Sequence, residues 1–95
     1  MITLHIDVTV AEDNRERFLE IYRSKYVPAI SRQEGFVRTM LIQGMQNPNE
    51  FEIDIFFQTE ALRQRWANSQ DHAEVWPLIE ALADELSWKG FNVIE

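Results

Sequence analysis

Cysteine is absent from this chain of 95 residues. That excludes disulfides, thiolate metal sites and cysteine nucleophiles. Glycine and proline are scarce, at three each, and no linker, repeat or low-complexity segment divides the chain. Positive charge is also sparse, with nine Lys and Arg against sixteen Asp and Glu and a formal net charge of −7. The basic residues are scattered, so no concentrated patch awaits phosphates, and nucleic acid is not an expected partner. No uncharged apolar run approaches the roughly 18 residues of a membrane span. The opening MITLHIDVTV has neither a basic n-region nor a continuous apolar h-region, so no signal peptide is visible. The expectation is one cytoplasmic domain over residues 1–95, with no membrane partner.

What the chain does have is periodicity. Ile2, Leu4, Ile6, Val8 and Val10 alternate with Thr3, His5, Asp7 and Thr9, which predicts a first strand with one apolar and one weakly polar face. Phe18, Leu19, Ile21, Tyr22, Tyr26 and Ile30 recur at helical spacing. Asp13 or Asn14 is placed to cap that helix, and Pro28 should perturb or end it near Val27. Residues 36–44 and 51–58 read as an antiparallel hairpin across an Asn47-Pro48-Asn49 turn. Thr59 and Ser69 are predicted N-caps of two further helical segments. The second carries a core stripe through Val75, Leu78, Ile79, Leu82 and Leu86, with a kink or restart at Pro77. Residues 87–95 complete the chain as a last strand.

The order β-α-β-β-α-β predicts an α+β, ferredoxin-like fold, an antiparallel sheet with its helices on one face. The strands carry apolar residues on the other face as well, including Met40, Ile42 and Phe56. A chain this short buries only about 60–70% of its unfolded surface. A homodimer whose two sheets form a barrel is therefore expected.

The stretch from Phe57 to Pro77, FQTEALRQRWANSQDHAEVWP, is the richest in chemistry. Trp66 lies four residues after Leu62, where packing alone accounts for it, although its N–H needs a partner if buried. His72 stands third after the Ser69 cap, and Trp76 shares a helix face with it. His5 and Asp7 point to one sheet face, where a polar dimer core would accommodate both. Glu52 and Asp54 share a face of the third strand, at a spacing too ordinary to mark a catalytic pair. Two histidines far apart in the chain do not outline a metal site.

Taken together, the polar-faced first strand, Phe18 to Tyr22 with Pro28, Gly35-Phe36, and Thr59-Glu60-Ala61 leading to Trp66, Ser69 and His72 resemble the antibiotic biosynthesis monooxygenase family of dimeric α/β barrels. The resemblance spans nearly the whole chain. It implies oxidation of a small phenolic, quinol- or anthrone-like substrate by dioxygen, with neither metal nor flavin. Such chemistry requires a water-poor pocket, a proton acceptor and donors to the substrate oxyanion. His72, Trp66, His5 and Asp7 are the candidate catalytic residues, and Trp76, Phe57, Arg38 and Phe56 the candidate substrate contacts. The heme-degrading branch of the family fits less well. Its Trp is matched by Trp66, but its first-strand Asn falls at Asp7 and its axial His at Trp76. Two other readings stand beside oxidation: a ligand-binding dimeric barrel without turnover, and an isomerase or decarboxylase that works by proton transfer.

Overall fold

The computed structural model describes residues 1–95. Four strands, β1 (Ile2–Val10), β2 (Phe36–Gln43), β3 (Glu50–Phe57) and β4 (Ala83–Asn92), form one antiparallel sheet in the order β2-β3-β1-β4. Four α-helical segments, α1 (Arg15–Ile21), α2 (Val27–Ser31), α3 (Glu60–Ala67) and α4 (Gln70–Glu80), connect them. This is the ferredoxin-like arrangement expected from the element order. The alternation in β1 and β3 sends Ile6, Val8, Val10, Phe51, Ile53, Ile55 and Phe57 into the core beneath the helices. His5, Asp7, Glu52, Asp54 and Phe56 therefore point to the opposite, helix-free face.

Several details depart from the sequence expectations. Neither Asp13 nor Asn14 supplies a side-chain cap; a 3₁₀ turn over Glu12–Asn14 leads into α1 instead. The regular helix is perturbed just before Pro28, as expected, but the helical path does not end there. A π-helical segment, Tyr22–Tyr26, joins α1 to α2, and the Val27 N–H bonds to the Tyr22 carbonyl five residues back. At about 100° per residue, Ile30 in an unbroken α-helix would stand about 120° around the axis from Phe18. The wide turn absorbs one residue, which brings Tyr26 and Ile30 to within about 20° of Phe18. All three are buried as a result.

Pro77 produces no restart, because α4 runs continuously through it. The last strand begins at Ala83, four residues earlier than expected, so Leu86 lies on β4 opposite Val8 and not on the helix. Leu86 fits either period, four residues after Leu82 and two before Trp88, and its pairing with β1 decides in favour of the strand. Gly35 enters β2 at φ +84°, a conformation that disfavours side chains, and a Cβ there would come within 2.5 Å of Leu62.

Candidate functional site

The break between α3 and α4 is built around one hydroxyl. Ser69 Oγ donates to the Trp66 carbonyl at 2.7 Å and accepts the His72 N–H at 3.1 Å. It caps α4 and fixes the spacing of Trp66 and His72 in the same act. Thr59 caps α3 in the same way, through the Leu62 N–H. The start of α4 is then held against the end of α2, where Arg32 and Gln33 both donate to Asp71. The Arg32 guanidinium, through hydrogen bonding, holds the Asp71 carboxyl below its ordinary value.

Between these helices and the sheet lies a cavity of about 150 Å³. Its floor is Leu4, Ile6 and Ile55, and its walls are Tyr26, Trp66, His72 and Trp76. Trp66 meets Tyr26 edge-on at 5.8 Å and His72 edge-on at 5.0 Å. His72 stacks on Trp76 at 5.7 Å. The side chain of Arg63, salt-bridged to Glu60, contributes the cavity's one cation. Trp88 is the lining residue that stands mostly in solvent, at 61% exposure.

The ionisable groups respond to this apolar setting. Burial lowers the His72 imidazole below its ordinary value; Arg63 adds to that effect and Glu80 opposes it. At neutral pH the ring is therefore neutral and able to accept a proton. Its hydrogen bond to Ser69 uses the backbone only, and its ring neighbours are aromatic. Burial pushes the Tyr26 phenol far up, Tyr22 adds to this, and the Trp66 indole N–H opposes it. Tyr26 thus remains a protonated donor at any ordinary pH.

Of the residues singled out in the sequence, His72, Trp66 and Trp76 gather in this cavity. Phe57 is buried in the core against Phe36 and is not among the lining residues. The other four lie across the sheet on the helix-free face. There His5 pairs in register with Asp54 and Asp7 with Glu52, while the Arg38 guanidinium sits over the Phe56 ring at 5.2 Å. Burial together with the neighbouring Glu52 raises the Asp7 carboxyl above its ordinary value. Besides the small and aliphatic lining residues, Tyr26, Arg63 and Trp88 escaped the sequence reading. Tyr26 reads as core, Arg63 as one of many helix-surface cations, and Trp88 belongs to a strand whose start was misplaced. Only the i, i+3 step from Arg63 to Trp66 offered a signal.

No curated protein matches the chain in sequence. Solved structures match its fold closely. SnoaB, a cofactor-independent oxygenase from Streptomyces nogalater, superposes with a TM-score of 0.88 at 18% identity, covering 99% of this chain and 93% of that one. A conserved protein from Methanosarcina mazei Go1 gives 0.87 at 17% identity, covering 96% and 90%. A conserved protein of unknown function from Bacteroides thetaiotaomicron gives 0.86 at 22%, covering 97% and 96%. The sequence profile described as antibiotic biosynthesis monooxygenase matches residues 1–76, from β1 through the Trp66–Ser69–His72 turn to Trp76. With that match over most of its length, the chain belongs to the antibiotic biosynthesis monooxygenase family.

Proposed function

We propose that the protein is a cofactor-independent monooxygenase that oxidises a small phenolic substrate with dioxygen in the cavity beside Trp66 and His72. The observation that carries this reading is a neutral imidazole with no side-chain hydrogen bond, set in an aromatic and largely apolar enclosure. His72 accepts the proton of the substrate. Arg63 stabilises the resulting oxyanion, which is worth more in a water-poor site than in solvent. The electron-rich anion then reacts with dioxygen at a ring carbon. When that carbon is a methylene, one oxygen atom becomes the new carbonyl and the other leaves as water with the two methylene hydrogens. A cavity of about 150 Å³ has room for about one aromatic ring, so quinol-sized substrates fit whole and anthrone-sized ones would project past Trp88. The oxygenase activity named for SnoaB supports the same reading.

The working unit in this reading is a homodimer joined through the helix-free face. Met40, Ile42 and Phe91 are exposed there, and a second copy of the sheet would cover them. Oxygen uptake with a panel of quinols and anthrones tests the activity, and His72→Ala should lower kcat by about 100-fold or more. No uptake by the wild type across the panel overturns oxidation. Ligand binding without uptake would favour the non-catalytic barrel, and solvent-proton exchange without uptake would favour an isomerase or decarboxylase.

A further inference from the structure

The helix-free face carries a second set of reactive side chains, which the cavity does not use. His5 on β1 stands opposite Asp54 on β3. One ligand atom from each of His5, Glu52 and Asp54 lies within 4.8 Å of the others. Asp54 is only 4% exposed, and its Oδ1 has no hydrogen-bond partner. That oxygen faces His5 Nε2 at 3.8 Å, beyond hydrogen-bonding distance. A buried carboxylate oxygen without a donor is costly, and it calls for a positive partner. The two cations on the same face do not supply one. Arg38 reaches Met40 Sδ and lies over Phe56, while Lys89, opposite His5, lies over Phe91.

We propose that His5, Glu52 and Asp54 bind a divalent first-row transition cation, on the side of the sheet away from the cavity. One imidazole nitrogen and two carboxylate oxygens suit zinc or manganese, with water completing the shell. Metal–ligand lengths of about 2.0–2.2 Å require the donors to draw together by about 1 Å. Asp54 is held by burial, while in the single chain His5, whose side chain is 35% exposed, and the partly exposed Glu52 have room to move. Asp7, opposite Glu52, adds a further negative charge beside the ion. The site is separate from the oxidation cavity, but it lies on the face through which the proposed homodimer is joined, so in that dimer the ion would sit between the two sheets.

Titration of chelator-treated protein with ZnCl2 or MnCl2, followed by calorimetry, tests the proposal. The expected result is saturable uptake that is at least about tenfold weaker in His5→Ala and Asp54→Asn and unchanged in His72→Ala. Because Asp54 is buried, its variant is checked by circular dichroism. Should it fail to fold, His5→Ala and Glu52→Gln carry the test. Absence of saturable binding below millimolar metal overturns the proposal. So does equally tight binding in His5→Ala, or binding lost only in His72→Ala.

Discussion

Burial in an apolar wall places the His72 imidazole below its ordinary value of 6.5, and two pH effects follow from this. The unfolded chain protonates this residue first, so between the lowered value and 6.5 the unfolded state holds more protons. The stability contributed by neutral His72 is complete above 6.5 and is lost as the pH falls through the lowered value. If His72 is the base, the acid limb of kcat/KM should likewise have its midpoint below 6.5. A pH-rate profile with that midpoint at or above 6.5 would speak against His72. Ser69 is the other decisive residue, since its hydroxyl joins Trp66 to His72. Ser69→Ala should cost about 1 kcal/mol in urea unfolding through loss of the cap. It should also lower kcat, because His72 is no longer fixed against Trp66. These two residues were legible in the sequence, because a Ser-x-x-His start is local capping chemistry that needs no tertiary information.

At the scale of elements, the π-helical segment decides which residues reach the core. It places Phe18, Tyr26 and Ile30 on one stripe by absorbing a single residue. Deletion of the exposed Ser24 should therefore leave a regular helix in the same phase and a folded protein. Insertion of one alanine after Lys25 should turn Tyr26 and Ile30 away from the core at a cost of about 3–5 kcal/mol or more. Equal damage from both changes, in urea unfolding, would refute the role given to the wide turn. Helical periodicity in the sequence located the helix and its apolar residues, but a π turn leaves no mark in a pattern read at one fixed period. β4 was misplaced for a related reason. Leu86 satisfies both a helical spacing from Leu82 and an alternating one to Trp88, and only the pairing of β4 with β1 resolves it. Tyr26 and Trp88 went unread as cavity residues because their positions depend on these two elements.

For the molecule as a whole, the sheet separates two environments. The helix side holds the aromatic cavity, and the other side combines Met40, Ile42, Phe56 and Phe91 with His5, Asp7, Glu52 and Asp54. That division was legible from alternation in β1 and β3, since a period of two assigns every side chain to a face. Which candidate site residues would share a site was not legible, because His5 and His72 fall on opposite sides of the sheet despite similar chemistry. If the helix-free face joins two copies, light scattering should give twice the 11.3 kDa of one chain at micromolar concentration. Ile42→Lys, at a position 47% exposed in the single chain, should then shift the mass toward one chain without unfolding it.

The three tryptophans of this protein, Trp66, Trp76 and Trp88, all line the same cavity. Its ultraviolet-excited emission therefore originates almost wholly from one place, with an interior, an intermediate and a solvent-facing emitter. A molecule entering the cavity would shift or quench that light, and a protonated His72 beside Trp66 would dim it. The chain thus carries its own optical probe of occupancy and of the charge on His72, with no label to disturb either.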